Sequence, residues 1–154
     1  MVPEEPTTAP APCVVLDTNV LLDWRVFRDP LATPLAQAVE AGQLHWVACE
    51  AMRDEWGHVW PRSAFARWAP DPAHAESVFT HARMVEAPAR SGLRCKDPDD
   101  QVFIDLAVAQ RARWLITKDR ALLQLARRAQ ALHGVGVMTL AQWHGMATHH
   151  PCPH

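Results

Sequence analysis

The segment that most constrains the fold is Cys13-Val14-Val15-Leu16, a continuously apolar run that stops at Asp17-Thr18-Asn19. A strand with one face in water alternates polar and apolar residues, whereas an unbroken run predicts a strand covered on both faces. Such strands belong to parallel sheets, whose neighbours are reached through crossover connections. Further strands are predicted at Leu44 to Ala48, Met84 to Ala87, Trp114 to Thr117 and Val135 to Thr139. Helices are predicted from Asn19 to Trp24, from Asp29-Pro30 to a stop at Gly42, and from Glu50 to Trp60 before Pro61. Others are predicted around Arg62 to Trp68, from Asp71-Pro72 to about Arg83, from Asp97-Pro98-Asp99-Asp100 onward, and from Arg120 to about Leu132. Leu140 to Trp143 is expected to cover an edge. The alternation predicts an α/β fold, a parallel five-stranded sheet with helices on both faces.

The 154 residues suit one core, at roughly 100–200 residues per domain. With 49% hydrophobic and 21% charged residues the balance is globular. Residues 1–12, with prolines at 3, 6, 10 and 12, read as a disordered leader, 13–143 as the domain, and 144–154 as a flexible tail rich in His and Pro. No apolar run approaches the ~18–20 residues that cross a bilayer, so no membrane partner is expected. The N-terminus has Glu4 and Glu5 but no basic and apolar signal pattern, which makes the cytoplasm the expected location. Cys13, Cys49, Cys95 and Cys152 form no CxxC or close pair and are expected to be reduced. Net charge is −6 over residues 1–82 and +4 over 83–154. That asymmetry suits a phosphate-bearing substrate, and equally an ordinary solvated surface.

Four acids stand where a fold gains little from them. Asp17 ends one apolar strand and Asp119 follows another. Asp100 opens the helix before that second strand, and Glu55 lies between Met52 and Val59 in the helix after the strand at 44–48. Open parallel sheets bind ligands beyond the carboxyl ends of their strands, where strand order reverses. If the first and fourth strands are neighbours, Asp17 and Asp119 face one crevice. Taken singly, Asp17 and Asp119 read equally well as helix caps, Asp100 as a partner of the helix dipole, and Glu55 as a surface residue. Taken together they need compensation, since two unit charges 4 Å apart cost roughly 4 kcal/mol at an effective dielectric near 20. An all-oxygen donor set favours Mg²⁺ or Mn²⁺ over zinc. Carboxylate-bound divalent ions at a crevice suit phosphodiester hydrolysis.

The run Val14-Val15-Leu16-Asp17-Thr18-Asn19-Val20-Leu21-Leu22 resembles the opening strand of PIN-domain nucleases. Asp97-Pro98-Asp99-Asp100 with Phe103 and Ala107, then Leu115-Ile116-Thr117-Lys118-Asp119-Arg120-Ala121-Leu122-Leu123, resembles the second half of that family. The resemblance covers about residues 13–143 and is nearest to the bacterial toxin branch related to VapC-type ribonuclease toxins. It implies a three-layer α/β/α sandwich with sheet order 3-2-1-4-5 and Mg²⁺- or Mn²⁺-dependent cleavage of RNA. It also implies an antitoxin partner and a homodimer. Carried across, Asp17, Glu55, Asp100 and Asp119 are the acidic quartet that holds metal. Asn19 would orient Asp17 or a bound water, and Thr117 would hydrogen-bond within the site. Glu50 and Asp54 lie close to Glu55, so helix register decides among the three. Asp99 and Asp97 likewise neighbour Asp100, with Asp97 expected to cap the helix.

The chemistry implied is in-line attack of an activated water on a phosphodiester, with no side-chain nucleophile. Lys118, Arg120, Arg94 and Lys96 are candidates for contacts to flanking phosphates. Trp46 and Trp114 are expected in the core, whereas Trp24, Trp56, Trp60 and Trp68 are expected to leave some apolar surface exposed for a partner or second subunit. A phosphatase of the haloacid-dehalogenase kind is disfavoured because Asn19 stands where its second acid belongs. A dinucleotide-dependent oxidoreductase lacks its GxGxxG. The remaining alternative is a PIN-like module that binds RNA or protein without cutting.

Overall fold

The structure, a computed structural model, describes residues 11–149. The Pro-rich leader, apart from Ala11 and Pro12, and residues 150–154 of the tail, with Cys152, lie outside the described residues. Strand β1 (Cys13–Leu16) is central in a five-stranded parallel sheet, with β2 (His45–Ala48) and β3 (Arg83–Met84) on one side and β4 (Trp114–Ile116) and β5 (Gly136–Met138) on the other. The order is therefore 3-2-1-4-5, as expected. Val14 pairs with both Trp46 and Trp114, and Leu16 pairs with Ile116. Val14, Val15, Leu115 and Ile116 are wholly buried, which is the physical content of the unbroken apolar runs.

Helix α1 (Thr18–Arg25) leaves β1 directly. A single 3₁₀ turn (Pro30–Ala32), capped by the Asp29 carboxylate at 2.9 Å, leads into α2 (Thr33–Glu40). Gly42, at φ +76°, takes the left-handed conformation that ends this helix, as anticipated. After β2 comes α3 (Glu50–Val59), buried along Met52, Trp56 and Val59. The helix expected from Asp71 to Arg83 is instead α4 (Pro72–Glu76) followed by a 3₁₀ segment (Ser77–His81). The segment expected around Arg62 to Trp68 is also 3₁₀ (Ser63–Trp68).

Asp97 caps a 3₁₀ turn (Pro98–Asp100) that precedes α5 (Gln101–Ala109). The helix expected after β4 divides into α6 (Arg120–Leu123) and α7 (Ala126–His133). Helix α8 (Leu140–His149) continues past the boundary expected at Trp143, so residues 144–149, assigned by sequence to the tail, are helical.

The tryptophans mostly serve the core. Trp46, Trp56 and Trp60 are buried, and Trp24 packs 6.0 Å from Trp46. Trp68 packs against Phe27 with ring centroids 4.6 Å apart and planes tilted by 57°, and Trp114 meets Trp143 edge-on at 6.2 Å. Among the described residues the exposed large hydrophobics are Leu31, Met84 and Leu132, so the expected exposed tryptophan surface does not form. Cys13, Cys49 and Cys95 are free thiols. Among the described residues no helix is long and apolar enough to cross a membrane.

Candidate active site

The chain runs from β1 outward to β2 and β3, then returns across the sheet to β4 on the other flank of β1. Strand order thus reverses between β1 and β4, and a crevice opens there at the carboxyl ends. Asp17 is the residue after β1, Thr117 the residue after β4, and the two strands continue their ladder to this point through Asp17 N–H donating to the Ile116 carbonyl at 3.0 Å.

The Thr117 hydroxyl, fully buried, donates to Asp17 Oδ2 at 2.6 Å and accepts from the Asp119 N–H at 2.9 Å. One side chain thereby fixes both acids. Asp17 occupies the N-cap position of α1, yet its carboxylate makes no capping bond to that helix. Asp119 does cap: its Oδ1 accepts from the Ala121 N–H at 2.8 Å, which fixes the rotamer. Its second oxygen is left for other partners.

Asp119 is joined by Asp100 and Asp97, one carboxylate oxygen of each lying within 4.8 Å of those of the other two. Asp97 caps its own turn through the Asp99 N–H at 3.0 Å, as expected, and of the two neighbours of Asp100 left open by the sequence it is Asp97 that joins this cluster. The physical reason is the 3₁₀ turn: at three residues per turn, positions 97 and 100 eclipse and present their side chains to one side. Pro98 in first-turn position and two following acids were the available signal.

Helix register decides among the acids of α3. Glu55 shares the face of Met52, Trp56 and Val59 and is half-buried, whereas Glu50 and Asp54 are exposed. Burial pushes the Glu55 carboxyl up, the Thr18 side chain opposes this, and the charges of Asp99 and Asp97 add to it. Asp17, only 3% exposed, is pushed up to about 6, chiefly by burial. The Thr117 hydroxyl works against that rise, and the nearby charges of Glu55 and Asp119 reinforce it. Asp17, Glu55, Asp97, Asp99 and Asp119 therefore share one field of mutually repelling charge.

Asn19 is exposed on the first turn of α1 and makes no hydrogen bond to Asp17. Lys118, a candidate for phosphate contact, instead pairs at 2.6 Å with Asp23, a buried acid of α1. That bond clamps the turn between Thr117 and Asp119 onto α1. Arg94, Lys96 and Arg120 are exposed.

The donor set suits a hard divalent cation. Three carboxylates, each offering an oxygen within 4.8 Å of the others, are near enough to converge on one Mg²⁺ or Mn²⁺ after small side-chain adjustments. Asp97, Asp100 and Asp119 are the residues that would hold such an ion, with Asp17 and Glu55 bordering them.

These features define an α/β/α protein with a carboxylate centre at the switch point of its sheet. Residues 13–121 match the PIN domain family, and the chain belongs to that family. No curated protein matches it in sequence. Among solved structures it is similar to a chain of VapBC2 from Rickettsia felis, crystallised bound to a DNA fragment from their promoter. The two are 11% identical with a TM-score of 0.53, over 81% of this chain and 96% of that one. At that identity the likeness is one of fold.

Proposed function

We propose that the chain is a divalent-metal-dependent endoribonuclease, with Mg²⁺ or Mn²⁺ as cofactor, and the toxin of a toxin–antitoxin pair. The observation that carries this reading is the trio Asp97, Asp100 and Asp119, set within 4.8 Å beside the buried Asp17 in a PIN-domain chain. A bound divalent ion would supply charge neutralisation at the phosphate and activation of water. The chain's own groups do the rest. Asp119 presents a carboxylate fixed by its cap and Asp100 a second one beside it, Thr117 holds Asp17 against them, and Glu55 closes the crevice from α3. Asp17, whose carboxyl burial raises to about 6, is suited to accepting or releasing a proton in that range. The antitoxin partner and the homodimer belong to the same reading. They draw on the VapC resemblance and on the VapBC2 likeness in fold.

The test is cleavage of a labelled single-stranded RNA by the purified protein with Mn²⁺, with Mg²⁺ and with EDTA, beside Asp119→Asn. Asparagine also caps helices, so that variant keeps α6. Metal-dependent cutting that vanishes in the variant is the expected result. Equal cutting by Asp119→Asn, or cutting that persists in EDTA, would refute the assignment. A folded, metal-saturated wild-type chain that leaves several unrelated RNAs intact would favour the binding-module alternative.

A further inference from the structure

Beside the acidic centre lies a concavity of about 380 Å³, lined by Arg90, Arg94, Cys95, Lys96, Pro98 and Gln101. That volume falls in the range of about 300–1,000 Å³ typical of ligand sites. A smaller hollow of about 140 Å³ adjoins it at Arg90, Gly92 and Arg94. Three cations border this one depression, and none of them forms an ion pair among the described residues. No acid lines the concavity itself and no carboxylate among the described residues is paired with the three cations, so the arrangement leaves them open to an anion from outside the chain.

The segment that carries the cations has no regular secondary structure, yet it is fastened. Asp105, a buried acid of α5, accepts at one oxygen from the Ser91 N–H (3.0 Å), the Ser91 hydroxyl (2.7 Å) and the Gln101 amide (2.9 Å). The Gln101 amide also donates to the Leu93 carbonyl at 2.6 Å, and its oxygen accepts from the Cys95 N–H at 2.8 Å. The loop backbone on both sides of Arg94 is therefore held to α5 before any ligand arrives, which lowers the cost of ordering on binding. The concavity also touches the centre directly: Pro98, in its wall, begins the turn that carries Asp100, and Asp97 immediately precedes it.

We infer that this basic concavity is a backbone subsite, in which Arg90, Arg94 and Lys96 take phosphates of a single nucleic-acid strand next to the one presented to the acids. The inference deepens the nuclease reading and rests on it for the identity of the strand. It also resolves a conflict of charge, since an acidic centre repels a polyanion and a neighbouring cationic wall offsets that repulsion. The contacts fall on phosphates, so the subsite contributes affinity and register, not base preference.

The experiment compares wild type with Arg90→Gln/Arg94→Gln/Lys96→Gln, all three positions being exposed. A charge-matched control is Arg111→Gln/Arg127→Gln/Arg128→Gln, whose positions are exposed and do not line the concavity. Binding of a fluorescein-labelled oligouridylate is followed by anisotropy in EDTA over a range of KCl, and cleavage kinetics are measured in Mn²⁺. The subsite variant is expected to bind about tenfold or more weakly, with a salt slope shallower by about two, from roughly 0.7 per phosphate contact on a single strand. Its KM should rise with kcat little changed, while the control behaves as wild type. Equal affinity and slope in wild type and subsite variant would overturn the inference, as would equal losses in variant and control. Strand binding that depends on the three cations, with no cleavage of several unrelated RNAs in Mn²⁺, would sustain the subsite and sink the nuclease reading. No binding by the wild-type chain would overturn the subsite, while the nuclease reading stands or falls on cleavage.

Discussion

Asp17 is held in a setting that its charge resists. It lies at the end of the innermost strand, 3% exposed, with one hydroxyl donor and two acids nearby. Its carboxyl is accordingly raised from 3.8 to about 6. Between those values the folded chain binds a proton that the unfolded chain has released, so stability falls as pH rises through this window. Two pKa units correspond to about 3 kcal/mol. Asparagine preserves the acceptor for Thr117 and removes the charge. Asp17→Asn, unfolded with urea in EDTA, should therefore be more stable than wild type near neutral pH by about 1–3 kcal/mol. The difference should shrink as pH drops through about 6 and be gone near 3.8. A variant less stable than wild type at neutral pH would refute this account of the burial. The same residue illustrates what spacing could reveal: an acid closing an apolar run was legible, whereas its tie to Thr117, one hundred residues on, required the sheet.

At the scale of elements, α3 shows periodicity succeeding. Met52, Trp56 and Val59 define the inward stripe, and Glu55 lies on it while Glu50 and Asp54 do not. The same helix is fastened to α4 by Trp56, whose indole N–H donates to the Ala75 carbonyl at 2.8 Å in the interior. Trp56→Phe keeps most of the apolar area but removes that bond, leaving the carbonyl only the Ser77 N–H at the end of α4. It should cost about 1–3 kcal/mol in urea unfolding, with RNA cleavage retained at temperatures where the fold persists. A loss of under about 0.5 kcal/mol would mean that the bond adds nothing beyond packing. The turn before α5 shows periodicity misleading. An α-helical reading from Asp97 separates 97 from 100 by about 60°, whereas the 3₁₀ turn aligns them and recruits Asp97 to the cluster. The clamp between Lys118 and Asp23 was equally invisible, because a lysine beside an acidic site reads as a phosphate contact until its partner is known.

For the molecule as a whole, the acids come from four separate places: β1's end, α3, the turn before α5, and the turn after β4. A cation that binds them only in the folded chain must stabilise the fold by mass action, by about 2.7 kcal/mol at one hundred times its Kd. Mn²⁺ or Mg²⁺ in excess should therefore raise the thermal midpoint, and Asp100→Asn should lose most of that rise. An unchanged midpoint for wild type at millimolar metal would remove the trio as a cation site. The rise should also weaken at low pH, since ligating carboxylates must be deprotonated.

Unbroken apolar runs, helix stops and the order of strands and helices were written locally, since each depends on residues a few positions apart. They determined a parallel α/β sheet and placed Asp17 and Asp119 at strand ends. Which strands are neighbours, which oxygens converge, and which cations remain unpaired depend on groups far apart in the chain. Only the tertiary structure decided that Thr117 joins Asp17 to Asp119, that Asp97 stands with Asp100, and that Asp105 fastens a basic wall beside them. Charge and hydrogen bonding act through distance in space, and the sequence states distance only along the chain.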